Sequence, residues 1–113
     1  MSELVMKHFV PCEGGTPPMA REDAQRYLQM IAGWTPVDDH IEKEFRFKTY
    51  LDGLEFANAL GRIAEHEDHH PDMLVRWRRV KVMLITHNIK GLSENDFIIA
   101  AKADELYKQY ANP

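Results

Sequence analysis

The period of the apolar positions changes several times along the chain, and each change predicts a new element. Residues 20–32 repeat at helical spacing and predict a first helix that ends at Gly33. From residue 41 the period becomes two, which predicts a strand with one wet face, paired through a turn at 38–40 with a short strand at 34–37. The predicted buried positions are Ala24, Tyr27, Leu28 and Ile31 in the helix, and Ile41, Phe45 and Phe47 in the strand.

The second half of the chain repeats this order. Residues 51–67 return to a helical period, and Pro71 predicts that the helix ends shortly before it, because proline disfavours helical geometry in the preceding residue. Residues 73–78 and 80–87 read as two further strands, and 93–96 resemble a capping box that begins a last helix. The predicted buried stripes are Leu54, Ala57, Leu60 and Ala64, with Phe56 and Ile63 beside them, and then Phe97, Ala100, Ala101, Ala103, Leu106 and Tyr110.

These elements predict an α+β fold in the order α-β-β-α-β-β-α, with the helices on one face of a four-stranded antiparallel sheet. We expect residues 1–113 to form one domain, in which the turn-rich residues 1–19 are a lead-in segment. A chain of 113 residues is long enough to bury a core without metal or disulfide support.

Composition narrows the class of protein. The single cysteine, Cys12, excludes an intramolecular disulfide and fits a reducing cytoplasm. No apolar run approaches the roughly 18 residues of a membrane span, and the N-terminus lacks a signal-peptide pattern, so we expect no membrane partner. The net charge of -4 argues against binding to nucleic acid. We interpret the one local basic cluster as a solvated surface: Arg76, Arg78, Arg79 and Lys81.

Candidate chemistry is concentrated between residues 65 and 96. The pattern Glu65-x3-His69-His70-Pro71-x5-Trp77-x9-His87-x8-Asp96 specifies seven positions in 32 residues. Histidine is the side chain whose unperturbed pKa allows it to donate and accept protons near neutral pH, so the three histidines of this pattern indicate acid/base chemistry.

Each of these residues also has a structural interpretation. A histidine near a helix C-terminus is stabilised by the helix dipole, and an acidic residue three positions after a serine cap can bond back to the cap. The alternatives are a helix C-cap for His69 and His70, an exposed strand end for His87, a cap for Asp96, a core or interface position for Trp77, and solvated helix positions for Glu65 and Asp68.

A metal site is another interpretation of the same segment. His66 and His69 lie three apart and could face the same way on a helix, with Glu65 or Asp68 as an oxygen ligand. Paired CxxC motifs do not occur, and Pro71 breaks the geometry. Nothing in the sequence marks a basic partner that would make Cys12 a nucleophile.

The joint spacing of the motif resembles the signature of the pterin-4a-carbinolamine dehydratases. The resemblance extends over residues 20–110, and the lead-in is similar to that of bacterial members. It is carried outside the motif by Phe45-x-Phe47, Tyr50, Asp68 before His69, Thr86 before His87, and Gly91-Leu92-Ser93 before Asp96.

This resemblance implies a fold and a reaction. The fold is the same α-β-β-α-β-β-α arrangement, and the reaction is loss of water from 4a-hydroxytetrahydrobiopterin or a related pterin to give the quinonoid dihydropterin. That step regenerates the cofactor after aromatic amino-acid hydroxylation, which implies a functional link to a hydroxylase. The chemistry calls for an acid and a base, and for neither a metal nor another cofactor.

The resemblance also assigns residues. It implies that His69, His70 and His87 are catalytic, with Asp96 close to His87 as an orienting partner. The implied pterin-binding set is Glu65, Asp68, Trp77, Thr86 and Asp96.

Two further alternatives stay open at this stage. Departures from the family pattern at Met73, Trp77 and residues 88–90 leave room for a relative that binds another pterin, for instance in molybdopterin metabolism. Animal members of the family also bind a homeodomain transcription factor, which makes a non-catalytic partner role the second alternative, with the helix at 97–110 as its surface. The resemblance implies a homodimer or a homotetramer, and self-association through this helix is simpler.

Overall fold

The computed structural model describes residues 18–111 of the chain. Cys12 and all of the predicted lead-in except Pro18 and Met19 lie outside the described residues. The described part contains three α-helices and four strands in the predicted order. They are α1 (Arg21–Leu28), β1 (Thr35–Val37), β2 (His40–Arg46), α2 (Tyr50–Glu67), β3 (Asp72–Arg76), β4 (Arg79–Leu84) and α3 (Glu94–Ala111), with a 3-10 turn (His87–Ile89) between β4 and α3.

The four strands form one antiparallel sheet in the order β1-β2-β4-β3, so β1 and β3 are its edge strands. Pro36 lies in β1, where an edge position tolerates the missing N–H. The predicted α+β fold is therefore confirmed. No helix in the described part of the chain is long and apolar enough to cross a membrane.

The alternation predicted for the strands is confirmed on both central strands. Ile41 and Phe45 of β2, and Phe47 just beyond it, are buried, as are Val80, Val82 and Leu84 of β4. The opposite face carries ion pairs: Glu44 lies 3.3 Å from Arg46 and 3.8 Å from Arg79. The basic cluster is thus a surface feature, and part of its charge is balanced by the neighbouring strand.

Helix α2 is rotated relative to the predicted stripe. Leu54 is exposed and Ala57 only half-buried, whereas the buried positions are Gly53, Phe56, Leu60, Ala64 and Glu67. A Cβ at Gly53 would lie 3.4 Å from both Phe47 and Val80. Because glycine lets the helix approach the sheet closely at this point, the side of α2 that carries Gly53 faces the core and Leu54 faces outward.

The remaining helices differ from prediction in length and burial. Helix α1 ends at Leu28 rather than near residue 32, although Ile31 beyond it is buried as expected. The first half of α3 is buried on all sides, since Ile98 and Ile99 are as inaccessible as Phe97. Tyr27 of α1 stacks on Phe97 with ring centroids 5.1 Å apart, so α1 covers a side of α3 that the sheet does not.

Candidate active site

The C-terminus of α2 fixes the directions of the two adjacent histidines. Asp68 adopts a left-handed conformation, with φ 53° and ψ 42°. Its N–H bonds to the carbonyl of Glu65, and the N–H of His69 bonds to the carbonyl of Ala64 over 3.0 Å. These are the two bonds of a Schellman motif, which ends the helix and reverses the chain. As a result His69 turns toward the core, while His70 stays exposed.

His69 is buried and paired with a buried carboxylate. Its Nε2 lies 2.6 Å from Oδ1 of Asp96, whose side chain is fully inaccessible. A carboxylate oxygen in its ionised form accepts hydrogen bonds, and an imidazole N–H at Nε2 is the matching donor. The residues are 27 positions apart, and the bond joins the end of α2 to the first turn of α3.

The second oxygen of Asp96 completes a small polar network. Oδ2 accepts hydrogen bonds from Oγ1 of Thr86 over 2.8 Å and from the backbone N–H of Ser93 over 3.0 Å. Since the Thr86 hydroxyl donates to Asp96, it accepts from Oγ of Ser93, 2.7 Å away, which in turn accepts from the N–H of Asn95. The network therefore satisfies a carboxylate that would otherwise be costly to bury.

Asp96 has the structural role that the sequence offered for it. The bonds between Ser93 and residues 95 and 96 cap the start of α3, as the predicted capping box does. The other oxygen of the same carboxylate bonds His69.

His70 has a different environment. Its Nε2 lies 2.5 Å from Oε1 of Glu65, and both side chains are more than half exposed. The pair lines a cleft of about 500 Å³ between α2 and the start of β3, together with Pro71 and Met73. A small molecule in this cleft would meet the imidazole of His70 directly.

His87 does not lie on a strand, contrary to the prediction. Strand β4 ends at Leu84, because its neighbours end there: Leu84 pairs with Ile41 near the start of β2, and Met83 pairs with the first residue of β3. The chain then bends into a tight loop closed by mutual backbone bonds between Thr86 and Gly91. His87 begins the 3-10 turn of this loop with its side chain exposed.

The expected pairing of Asp96 with His87 is also wrong. Both oxygens of Asp96 are engaged by His69, Thr86 and Ser93 instead. His87 is the chain neighbour of Thr86, so it lies at the same end of the sheet as the other two histidines.

The structure places His66 apart from His69, and Trp77 apart from His70. His66 is exposed on α2 while His69 is buried against Asp96, so the pair does not face one ligand. Within residues 18–111, no three His, Cys, Asp or Glu side chains are grouped as metal ligands. Trp77 lies in the turn between β3 and β4, 71% exposed, whereas His70 lies near the opposite end of β3.

One buried acidic residue was missed. Glu67 is only 3% exposed and continues the buried stripe of α2 at helical spacing after Leu60 and Ala64. The spacing itself was the available signal, but a glutamate was not considered a core residue. Glu67 lines a larger cleft, about 690 Å³, between α2 and α3, which contains none of the three predicted catalytic histidines. We therefore place the candidate site at the smaller cleft.

Fold and site together define a small α+β protein with histidines and carboxylates at one end of its sheet. Residues 17–106 match the family model described as pterin 4 alpha carbinolamine dehydratase. The chain belongs to this family.

Proteins with similar sequences align with this chain over nearly their whole length. The chain is 44% identical over 107 residues to a protein of Rubrobacter xylanophilus, covering 94% of this chain and all of that one. It is 48% identical over 107 residues to a protein of Nitrosomonas europaea, covering 94% and 95%. Both carry the name "Putative pterin-4-alpha-carbinolamine dehydratase".

A solved structure supports the same assignment. The crystal structure of a transcriptional coactivator/pterin dehydratase from Brucella melitensis superposes with a TM-score of 0.76 at 30% identity, covering 79% of this chain and 97% of that one. A pterin dehydratase-like RuBisCO assembly factor of the alpha-carboxysome superposes with a TM-score of 0.57 at 23% identity, over 66% of this chain and 88% of that one. That second likeness concerns the fold alone.

Proposed function

We propose that this protein dehydrates 4a-hydroxytetrahydropterin, the 4a-carbinolamine, to the quinonoid dihydropterin by histidine acid/base catalysis. The observation that carries the proposal is the pair of adjacent histidines with separate carboxylate partners: His69 with Asp96, and His70 with Glu65. The names of the relatives supply the substrate class.

The reaction breaks the bond between C4a and its hydroxyl group and removes a proton from a ring nitrogen. A protonated imidazole delivers a proton to the departing hydroxyl, and a neutral imidazole accepts the ring proton, so two histidines near one bicyclic substrate supply both transfers. His70 borders the cleft and is the group placed to reach the substrate. Glu65, 2.5 Å from its Nε2, stabilises the imidazolium that forms when His70 accepts a proton.

His69 and Asp96 form the second histidine–carboxylate pair of the proposed site, and this pair is buried. A buried carboxylate bonded to imidazole orients the ring and stabilises its charged form, as in catalytic triads. His87 and Thr86 follow β4 at the same end of the sheet, and we keep His87 as the third catalytic histidine. Asp68 completes the site through the turn that it forms.

The decisive experiment follows the decay of freshly generated 4a-hydroxytetrahydropterin with and without protein, in the presence of a chelator. We expect acceleration that survives chelation and falls at least about a hundredfold in His70→Ala, the usual lower range for removing a general acid or base. A folded protein that gives no acceleration would overturn the proposal. Unchanged turnover in His87→Gln would remove His87 from the catalytic set.

We further propose that the active form is a homodimer or a homotetramer. Strand β3 pairs only with β4 within the described residues, and its outward positions include Leu74, 40% exposed, and the neighbouring Trp77. Antiparallel pairing of two β3 strands about Leu74 would bring Trp77 of one copy close to the Pro71 region of the other. That arrangement would return Trp77 to the pterin-binding set. A sedimentation mass of one chain at micromolar concentration would contradict it.

The proposal includes a cellular location and a metabolic partner. A cytoplasmic enzyme that recycles a tetrahydrobiopterin-type cofactor would act beside an aromatic amino-acid hydroxylase. A coactivator-type partner role is the second candidate, favoured by the exposed apolar residues Leu51 and Leu54 on α2 and by the name of the Brucella protein. Full dehydratase activity in Leu51→Lys, with loss of a co-purifying partner, would separate the two functions.

A further inference from the structure

Gly61 is a glycine that neither packing nor backbone conformation requires. It lies in the middle of α2 without a positive φ, and a Cβ placed on it would meet no atom within 4 Å. This contrasts with Gly53 on the same helix, where a Cβ would lie 3.4 Å from two core side chains. Glycine inside a helix costs about 1 kcal/mol relative to alanine. Gly61 therefore lowers helix stability at a position where alanine would fit.

The open space beside Gly61 belongs to the cleft of the candidate site. Gly61 lines the cleft together with Ala57 and Ala64, while Glu65 and His70 line its other part. Glu65 follows Gly61 by four residues, a separation of about 6 Å along a helix. A substrate whose reacting atoms meet His70 would thus extend past the backbone of Gly61 with a part that does not react.

We propose that Gly61 determines substrate selectivity by making room for the side chain carried by the pterin ring. The inference rests on the proposed dehydratase function and names the substituent class as extended and hydroxylated. Asn58 and Arg62 lie on either side of Gly61 in the cleft wall and present amide and guanidinium groups to such a substituent. On this proposal, a pterin that carries only a methyl group leaves the space beside Gly61 unfilled.

The experiment compares two carbinolamine substrates, one with a methyl group and one with a trihydroxypropyl or similar side chain at the same ring carbon. The variants are Gly61→Ala and Gly61→Leu, which share high helix propensity and differ in bulk. Glu55→Leu is the matched control, since it places the same side chain on an exposed position of α2 outside the cleft.

We expect the selectivity ratio, kcat/KM for the extended substrate over that for the methyl substrate, to fall at least about tenfold in Gly61→Leu and less in Gly61→Ala. This is the discrimination typical of a steric change of a few methylene groups. The methyl substrate should lose less kcat/KM than the extended one, and Glu55→Leu should leave the ratio unchanged. The thermal midpoint of Gly61→Ala should rise.

An unchanged selectivity ratio in Gly61→Leu, whether both substrates keep their kcat/KM or lose it equally, would overturn the inference while leaving the proposed function intact. If the wild-type protein dehydrates neither substrate, the proposed function fails. In that case the affinities of the protein for the two corresponding stable dihydropterins decide the inference. Gly61→Leu must weaken binding of the extended dihydropterin more than binding of the methyl one.

Discussion

Two histidines joined by one peptide bond have opposite environments in this protein. His69 is 9% exposed and bonded to a fully buried carboxylate that also caps α3, whereas His70 and its partner Glu65 are both largely in solvent. The cause is local, because the left-handed turn at Asp68 sends one side chain inward and leaves the other outside. The turn therefore ties one imidazole into the buried network and leaves the other accessible to solvent and to the cleft.

Replacing His69 and His70 in turn with glutamine should give the largest effects. We expect turnover to fall by a factor of about 10² to 10⁴ in both variants, the range for removing a general acid or base. His69→Gln should also lower the free energy of unfolding by about 1–3 kcal/mol, because its partner is buried. His70→Gln should stay within about 0.5 kcal/mol of the wild type, as exposed positions usually do.

Turnover assays and urea unfolding of the two variants measure these effects. Equal stability loss in both variants would show that burial does not distinguish the two histidines. Equal stability with full turnover in His69→Gln would remove His69 from the catalytic set.

The carboxylate partners give the next largest contrast. Asp96→Ala removes the acceptor of His69, Thr86 and the Ser93 N–H together, and should cost about 3 kcal/mol of folding free energy, as for other broken buried pairs. Glu65→Ala removes an exposed pair and should change stability by less than about 1 kcal/mol.

Denaturant midpoints of the two alanine variants provide the measurement. A further difference is salt dependence, since added salt screens only exposed pairs appreciably. Comparable losses in Asp96→Ala and Glu65→Ala would contradict the contrast.

Sequence reasoning predicted the elements well because their periods are set by burial. The alternation of Val80, Val82 and Leu84 is a local pattern that burial on one face dictates. The pairing of Asp96 with His69 rather than His87 is different, because it depends on how the end of α2 meets the start of α3 across 27 residues. No local pattern encodes that contact.

The error at His87 and the unforeseen backbone conformation of Asp68 have related causes. Strand β4 ends where its partner strands β2 and β3 end. The residues that follow Leu84 contain no information about the lengths of those two strands. A left-handed aspartate is conformationally unusual, so a sequence pattern alone does not distinguish it from a solvated helix residue. The hydrogen-bond partners of the candidate residues were therefore not predictable from the sequence.

A third histidine–carboxylate pair is intermediate in exposure between the other two. Nε2 of His40 lies 2.9 Å from Oε1 of Glu42 on β2, with both side chains 23% exposed. The hydrogen bond from His40 is the main cause that lowers the pKa of Glu42 from its ordinary 4.5, and Lys81, 3.3 Å from Oε2, contributes. The unfolded chain therefore binds a proton at Glu42 more readily than the folded protein does.

The sign of the pH effect follows from this lowered pKa. The contribution of Glu42 to stability is present above its unfolded pKa of 4.5 and is lost as the pH falls through the lower folded value. We expect the unfolding free energy of Glu42→Gln to decline less steeply than that of the wild type below pH 4.5. Glu55→Gln, on the exposed side of α2, is the matched control for the loss of one carboxylate. Identical slopes for Glu42→Gln and wild type would show that the pairing of Glu42 with His40 and Lys81 adds no pH-dependent stability.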